Sequence, residues 1–521
     1  MSSEKHELER LHSPGDKDDI KEEVPEGKWT LALFAATCCA ALGSSFQFGY
    51  NIGVINQPQD VVQNWTQQSH REMFEGEEMS KEQLDLVWSY IVSVYCIGGM
   101  IGGLVSGAVS ERFGRKGGMM LNNFTAFVAA AFLGLAKTSG VYFLLFVGRI
   151  IIGFNAGLNT ALAPMYLTEI APINLRGLLG TVHQLSVTIS IWISMLIGLP
   201  DLLGNETWWP LLFALTAVPA VYQLIAFLFS PESPQYTLVN RNLREAAEAA
   251  LIKLRGTQNV KVEMDKMEQE AADAKSVVKV RFVQMLTDKT LAWPLFIAVI
   301  MMMSQQLSGI NVAMYYSTRI FSSAGLSKRN AQWATIGMGA INILMTLVSA
   351  VTVDRFGRRI LHLVGMTGML LTSVGLVICL SFGPKDEVIK VISENVTEVV
   401  SPKVEGSKTA AYIAIVLVFL FVISFATGPG SIPWFYVSET FLQNARAHAN
   451  SVAVVFNWMA AFIVGLVFLP LENAVHEYSF LLFSVCLVFF IIFTYVFVPE
   501  TKNRTVEDIV EDFRRGKYLQ I

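Results

Sequence analysis

The segment Glu111-Arg-Phe-Gly-Arg-Lys116 returns in the second half of the 521-residue chain as Asp354-Arg-Phe-Gly-Arg-Arg359. Two further motif pairs follow these segments in the same order. They are Glu169 with Arg176 and Glu439 with Arg446, then Pro231-Glu-Ser-Pro234 and Pro499-Glu-Thr-Lys502. One such match can arise by chance, but three pairs in register indicate an internal repeat. The chain is therefore predicted to consist of two halves with the same architecture.

The composition places this repeat in a membrane. Hydrophobic residues make up 53% of the chain and charged residues only 16%, against about 25% in a soluble domain. A helix crosses the apolar slab of a bilayer with about 20 residues, and the sequence contains a series of apolar runs near that length. They lie at roughly 31–54, 87–110, 118–136, 142–164, 178–200, 208–230, 291–316, 331–353, 360–383, 410–437, 449–470 and 479–498. The pattern excludes a soluble or disordered chain. It predicts an all-α polytopic membrane protein, with twelve transmembrane helices in two pseudo-symmetric six-helix bundles.

The polar stretches between the apolar runs predict the domain organisation and the topology. When the loops are assigned alternately to the two sides of the bilayer, most of the 39 Lys and Arg residues fall on one side, so both termini are predicted to be cytosolic. The helical period of Leu243–Leu254 and of residues 262–278 predicts short amphipathic helices between the bundles; the alternative is a solvated linker. The predicted parts are a cytosolic tail (1–28), an N-terminal bundle (29–230), a cytosolic loop (231–290), a C-terminal bundle (291–498) and a cytosolic tail (499–521).

Smaller signals concern localisation and cofactors. The sequon Asn64-Trp-Thr66 falls in a loop predicted to be extracellular, so Asn64 is a candidate glycosylation site of a plasma-membrane protein. Asn395 and Asn205 begin weaker candidate sequons. The five cysteines lie in apolar segments, and neither a metal site nor another cofactor is expected. The net charge of -4 gives no sign of a nucleic-acid partner, and no catalytic motif suggests an enzyme.

The charged residues of the repeated motifs are predicted to form a cytosolic latch. Gly114 and Gly357 allow tight turns between spans, and the forked donors of the neighbouring arginines suit carboxylates. Such pairs would tie helix ends together within and across the halves; alternatively, the charges only enforce topology. The latch residues are Arg112, Arg115, Glu169, Arg176, Glu232, Arg355, Arg358, Glu439, Arg446 and Glu500.

The polar residues inside the apolar runs are mainly neutral amides. Polar side chains in spans are costly and tend to face a water-filled cavity, and amides both donate and accept hydrogen bonds. This chemistry suits an uncharged, hydroxyl-rich substrate, and Trp434 and Trp458 offer flat surfaces for the C–H face of a sugar ring. The alternative for each amide is a hydrogen bond between helices. The amides are Gln184, Gln305, Gln306, Asn311 and Asn342.

Glycine and proline interrupt the spans that carry or adjoin these amides. Gly428, Pro429, Gly430 and Pro433 lie within the tenth span, and they predict a bend that could act as a gating hinge. The alternative is a static kink. Gly309 lies between the paired glutamines and Asn311 and is expected to loosen the seventh span.

The motifs together resemble the sugar porter family of the major facilitator superfamily, and within it the facilitative glucose transporters of animals. The resemblance covers nearly all of 29–510; its most specific parts are Gln305-Gln-Leu-Ser-Gly-Ile-Asn311 and Gly428-Pro-Gly-Ser-Ile-Pro-Trp434. It implies the major facilitator fold, and it implies a hexose substrate. It also implies that the residues binding the sugar are Gln184, Gln305, Gln306, Asn311, Asn342 and Trp434.

Two departures from the family pattern, and one difference from its proton-coupled members, shape the expected function. Ala426 stands where glucose-carrying relatives usually have Glu, and Ala461 stands where they have Asn, so a weak or altered hexose preference is expected. Proton-coupled relatives carry Asp where this chain has Asn51, which leaves Arg149 without that partner.

The expected function is a facilitative hexose uniporter, with glucose as the first candidate, that works by alternating access without a coupling ion. Other possibilities are a carrier of fructose or another polyol, a proton-coupled sugar symporter, or a sugar sensor that does not transport. The lipid bilayer and the hexose are the expected partners.

Overall fold

Long helices make up most of the computed structural model, which describes residues 27–276, 280, 282–381, 408–502, 504 and 506–515. No strand occurs among these residues. The N-terminal half contains the helices Leu31–Gly53, Lys81–Ser139, Phe143–Ile170, Arg176–Ile197 and Trp209–Phe227. The 59-residue helix Lys81–Ser139 bends sharply at Gly114, so it holds both the second and the third span. These helices therefore supply six spans.

The C-terminal half repeats this arrangement. Its spans, the seventh to the twelfth, are Lys289–Ser323, Lys328–Phe356, Arg358–Ser381, Lys408–Thr427 with Ile432–Thr440, Gln443–Val475 and Ser479–Phe497. The prediction of an all-helical protein with twelve transmembrane helices is confirmed.

Shorter helices connect the spans. Gln59–Met73 lies between the first and second spans, and Val506–Arg515 follows the twelfth. The helices between the halves are Pro234–Val239, Arg244–Arg255, Lys261–Ser276 and Phe282–Thr287. Two of them coincide with the predicted amphipathic segments, apart from residues 277–279, which lie outside the described residues. Also outside the described residues are Asn395, residues 1–26 and residues 516–521.

The helix Arg244–Arg255 is attached to the N-terminal half. Its Arg255 donates to the carbonyl of Ile170 at 2.8 Å, and Thr30 donates to the carbonyl of Leu254 at 2.7 Å. The first part of the segment between the halves is thus helical and packs against the N-terminal half.

The two ends of the helix bundle are named here by their residues. The motif face is the end that carries Gly114 and Gly357, and the distal face is the end that carries Asp85 and Arg319. The halves meet where the second span packs against the eleventh and the fifth against the eighth. Side chains on these four spans therefore line the interface between the halves.

Candidate substrate site and motif-face ion pairs

The seventh span is broken in the middle. The helix that begins at Lys289 ends at Leu307, and a second helix begins at Ile310. Gly309 between them has φ +89°, and a Cβ there would lie 2.9 Å from the ring of Phe483. The expected loosening at Gly309 is thus a complete break of the helix.

Four amide side chains meet at this break and form a continuous hydrogen-bonded group, the amide chain. Asn311 donates to Gln306 at 2.7 Å, and Gln306 donates to Asn457 at 3.0 Å and to Gln305 at 3.2 Å. Asn457 donates in turn to Gln305 at 2.8 Å and to the carbonyl of Met302 at 3.0 Å. Asn457 was not among the predicted site residues, although it meets the same criterion of a neutral amide inside a span.

Members of the amide chain differ in how much of their bonding capacity the protein uses. The Gln305 amide nitrogen donates to the carbonyls of Pro429 at 3.1 Å and Gly430 at 2.7 Å, and the Gln305 side chain is buried. For Gln305 the alternative of an interhelical hydrogen bond therefore describes its contacts well. Gln306 and Asn311 are only half-buried, which leaves part of each amide accessible in mid-span.

Gln305 thereby ties the seventh span to the interruption of the tenth. The helix Lys408–Thr427 ends just before Gly428, and Ile432–Thr440 begins just before Pro433. Residues 428–431 form the turn between them, where the sequence analysis placed a gating hinge. The interruption is present; its movement stays a prediction.

The two tryptophans have different surroundings. Trp434 is half-buried. Trp458 is 6% exposed and lies between the halves, with its ring edge-to-face with Phe48 at 5.9 Å and with Tyr95 at 5.7 Å. A Cβ on Gly99 would lie 2.6 Å from the Trp458 ring, so the absence of a side chain there makes room for the indole. In this conformation the N-terminal half covers much of Trp458.

Gln184 and Asn342 lie on the fifth and eighth spans at similar depth. The Trp192 indole donates to the carbonyl of Ile336 at 3.1 Å, which fixes the relative height of the two spans. At about 1.5 Å per residue, Gln184 lies about 12 Å and Asn342 about 9 Å from this contact toward the motif face. Neither side chain joins the amide chain through a described hydrogen bond. The structure thus places these two predicted residues near each other in depth.

Arg149 is fully buried in the N-terminal half. It donates to the carbonyls of Asn51 at 3.0 Å and Ile91 at 3.3 Å, and its guanidinium lies 4.5 Å above the ring of Tyr95. The Asn51 side chain instead donates to Thr216 at 2.9 Å. Among the described residues no carboxylate pairs with Arg149, so backbone carbonyls and a ring face stabilise its charge.

At the motif face of the N-terminal half, two glutamates hold the turn at Gly114. Arg115 forms an ion pair with Glu169 at 2.7 Å. Glu232 accepts hydrogen bonds from the backbone nitrogens of Arg115 at 3.2 Å and Lys116 at 3.0 Å. A carboxylate at this point stabilises the exposed N–H groups at the start of the third span.

The C-terminal half builds the same arrangement at Gly357. Arg358 forms an ion pair with Glu439 at 3.1 Å. Glu500 accepts from the backbone nitrogens of Arg358 at 2.9 Å and Arg359 at 3.1 Å. The motif pairs of the sequence therefore mark two copies of one structure.

Each described ion pair at the motif face joins residues of the same half. Cross-half pairs, which the sequence analysis also expected, are not among them. Arg112, Arg176 and Arg355 are exposed, and Arg446 donates to the carbonyl of Phe441 at 3.2 Å. The latch ion pairs that the structure describes, Arg115 with Glu169 and Arg358 with Glu439, thus lie within the halves.

The distal face, by contrast, is closed by polar contacts between the halves. Asn56, in the turn just after the first span, donates to the carbonyl of Met314 at 2.7 Å and to Ser317 at 2.8 Å. Asp85 of the second span pairs with Arg319 of the seventh at 3.2 Å. No motif in the sequence predicted these contacts.

Comparison with solved structures gives the class of protein. The chain matches the partially occluded inward-open xylose transporter XylE from E. coli with a TM-score of 0.71 and 25% identity, over 91% of this chain and 100% of that one. A second XylE structure, bound to 6-bromo-6-deoxy-D-glucose, has a TM-score of 0.69, 24% identity and coverage of 92% and 99%; XylE is described there as a proton:xylose symporter. The protein has the major facilitator fold.

The family follows from the sequence comparisons. Residues 36–513 match the family described as sugar (and other) transporter, and the chain belongs to this family. It is 49% identical to facilitated glucose transporter protein 1 of Caenorhabditis elegans over 95% of this chain and 93% of that protein. It is 40% identical to the Gallus gallus solute carrier family 2, facilitated glucose transporter member 1, over 94% and 95%.

Proposed function

We propose that the protein is a carrier that moves a hexose, with glucose as the first candidate, down its concentration gradient. The observation that carries the proposal is the amide chain, whose members Gln306 and Asn311 remain half-buried at the break of the seventh span. These amides offer donors and acceptors without a charge, which matches the hydroxyls of a sugar. The names of the relatives, which are facilitated glucose transporters, support the same substrate class.

Within this site the residues have different proposed roles. Gln306 and Asn311 contact the sugar directly, whereas Gln305 and Asn457 position them through hydrogen bonds. Gln184 and Asn342 supply further polar contacts from the interface of the fifth and eighth spans. Trp434 supplies an apolar surface, and Trp458 becomes available when the halves separate.

Transport proceeds by alternating access, in which two bundles rock about a central site. The conformation described here has the distal face closed by contacts such as that of Asn56 with Ser317. In the opposite conformation the motif face closes, and Arg176 then reaches an acidic partner on the other half. The turn at 428–431 lets the tenth span bend during this change.

The carrier is a uniporter. A proton-coupled mechanism needs an ionisable group that changes its charge state near the site, and Arg149 meets carbonyls and a ring rather than a carboxylate. The alternative is proton symport, favoured by the likeness to XylE, which is described as a symporter. Sugar flux into liposomes that carry a pH dye distinguishes the two, because only a symporter acidifies the receiving side.

The protein lies in the plasma membrane with both termini in the cytosol, so that the motif face is cytosolic and the distal face extracellular. Asn64 fits this orientation, since it is exposed on the helix Gln59–Met73. A mobility shift that is removed by a glycosidase in the parent protein and is absent in Asn64→Gln tests the assignment.

The substrate is tested by counterflow of labelled hexoses into liposomes that contain the purified protein. Labelled glucose is expected to accumulate transiently against unlabelled glucose, and competition by galactose, fructose and 2-deoxyglucose ranks the substrates. Ala426 and Ala461 favour fructose or another polyol as the second candidate, since both remove a polar group. Absence of counterflow with every hexose, in protein that unfolds cooperatively on heating, contradicts the proposal.

A further inference from the structure

A group of charged side chains joins the two halves on the distal face. Arg319 of the seventh span donates to the two carboxylate oxygens of Asp85 at 3.2 and 3.4 Å. Asp85 belongs to the second span and thus to the other half. The Nε of Arg319 also lies 2.8 Å from the carboxylate of Glu472, which is on the eleventh span in the same half as Arg319. One guanidinium therefore lies between two carboxylates, one from each half.

Amides complete the surroundings of Asp85. Gln63 and Asn473 each donate to it at 2.9 Å, and Asn473 also accepts from Arg319 at 3.1 Å. The side chain of Asp85 is 5% exposed, that of Glu472 16% and that of Arg319 24%. A two-point guanidinium–carboxylate contact with this burial is strong and directional, unlike an exposed surface pair.

The same face carries an exposed pair for comparison. Lys328 and Asp60 also join the halves, at 2.6 Å, but each side chain is 60% exposed. When the halves separate at this face, Asp60 and Lys328 return to water at little cost. Asp85 would instead lose its buried partner, and leaving such a charge unpaired is costly.

We propose that Asp85 and Arg319 form a charged gate that keeps the distal face closed at rest and sets the fraction of molecules in which it opens. Glu472 pairs with Arg319 within the C-terminal half. The guanidinium therefore still has one carboxylate partner when Asp85 moves away. The inference rests on the alternating access proposed above, and it specifies which end is closed in the absence of substrate and by which residues.

Ser89 provides a reporter that needs neither sugar nor a known orientation. It lies one turn after Asp85 on the second span and is fully buried beside Tyr316 of the other half. Ser89→Cys, in a background without the five native cysteines, is treated with a water-soluble maleimide in purified protein. The rate of modification measures how often the distal face opens.

Three variants distinguish the contact between the halves from the contact within one half. Asp85→Asn keeps the amide contacts but removes the charge pair between the halves, so maleimide labelling is expected to rise roughly tenfold as the open fraction grows. Arg319→Gln leaves two carboxylates facing each other and is expected to raise it further. Glu472→Gln removes a carboxylate but keeps the cross-half pair, so labelling is expected to stay at the parent rate. Asp60→Asn is the exposed control and is also expected to label at that rate.

The conservative variant Asp85→Glu keeps the charge and is expected to label like the parent protein, which separates gating from misfolding. Equal labelling of the parent, Asp85→Asn and Arg319→Gln overturns the proposal, as does a Glu472→Gln variant that labels as fast as Asp85→Asn. A protein that shows the expected labelling but no hexose counterflow retains the gate and refutes only the proposed substrate.

Discussion

The two halves of the molecule are alike at the motif face and unlike in their interiors. At the motif face Glu232 and Glu500 accept from the backbone nitrogens that follow Gly114 and Gly357, with the same hydrogen-bond pattern. In the interior the N-terminal amides bond to one another in a buried group on the first, third and sixth spans, whereas the C-terminal amides meet at the break of the seventh span and contact the turn of the tenth. The two halves therefore share the structure of the turns at the motif face, and they differ in the arrangement of their buried amides.

The N-terminal interior shows what an amide network does when it only holds helices together. Gln47 of the first span donates to Asn123 of the third at 2.9 Å, and Asn123 donates to Gln223 of the sixth at 2.9 Å. Gln223 then donates to Ser44 at 2.9 Å. All four side chains are buried. The amide chain of the other half differs because Gln306 and Asn311 remain partly accessible.

The likeness at the motif face is tested most strongly at the glycines. Gly114 and Gly357 have φ of +84° and +94°, and a Cβ would lie 2.3 Å from Glu232 and 2.7 Å from Glu500. We expect Gly114→Ala and Gly357→Ala each to cost about 1–3 kcal/mol for the backbone alone and more for the displaced carboxylate. The midpoint of thermal unfolding in detergent should fall equally for both, with loss of transport.

Gly107→Ala is the control for these two variants, because a Cβ at Gly107 meets nothing within 4 Å. It should unfold like the parent protein. If Gly357→Ala behaves like Gly107→Ala while Gly114→Ala does not, the two turns are not equivalent.

The difference between the interiors is tested by one substitution in each. Gln306→Leu is expected to raise the KM for hexose roughly tenfold with little change in unfolding, because it removes an amide from an accessible site. Gln223→Leu is expected to lower the stability by about 1–3 kcal/mol, since it leaves buried Asn123 and Ser44 unpaired, with KM unchanged. KM from uptake kinetics and unfolding midpoints are measured on both; matching profiles would remove the distinction between the halves.

A smaller effect is expected from the carboxylates at the helix starts. Glu232→Gln and Glu500→Gln keep the shape of the side chain but remove its charge next to the N-terminus of the third and ninth spans. Each variant should lower the free energy of unfolding by about 1 kcal/mol. The loss should be smaller at high salt if the site is exposed, because salt screens exposed charges. Glu111→Gln is the control, because Glu111 is an exposed residue three positions before Gly114. If only one of the two variants loses stability, the two turns share a geometry but do not contribute equally to stability.

The smallest effect is expected where the C-terminal interior lacks a polar group. Ala461 lies one turn after Asn457 and so shares its side of the eleventh span. One added hydrogen bond contributes about 1 kcal/mol, so Ala461→Asn should lower the KM for glucose several-fold. Ala461→Val adds volume without a hydrogen-bonding group and serves as the comparison. An unchanged KM in both variants places residue 461 away from the sugar.

Sequence reasoning succeeded where the structure depends on local patterns. The spans follow from runs of apolar residues, and the turns at Gly114 and Gly357 follow from glycine beside repeated charges. The break at Gly309 was foreseen as a loosening only, because its extent depends on Phe483, a residue far along the chain.

Contacts between distant segments that no repeated motif marks could not be predicted. Nothing near Arg319 in the sequence points to Asp85, which is 234 positions away. The hydrogen bonds of Gln305 to Pro429 and Gly430 could not be predicted either, because they depend on how two broken helices face each other. The cross-half part of the latch stays a prediction, because the described pairs at the motif face lie within one half.

The contact of Trp458 with Gly99 has a consequence for the electrical properties of the membrane. The indole occupies mid-depth between the halves, with Phe48 and Tyr95 against its edges. A sodium or potassium ion that reached this point would have to shed its hydration shell against aromatic carbon, at a cost of several kcal/mol or more. In this conformation the Trp458 contact therefore opposes the passage of a bare ion between the halves at this depth.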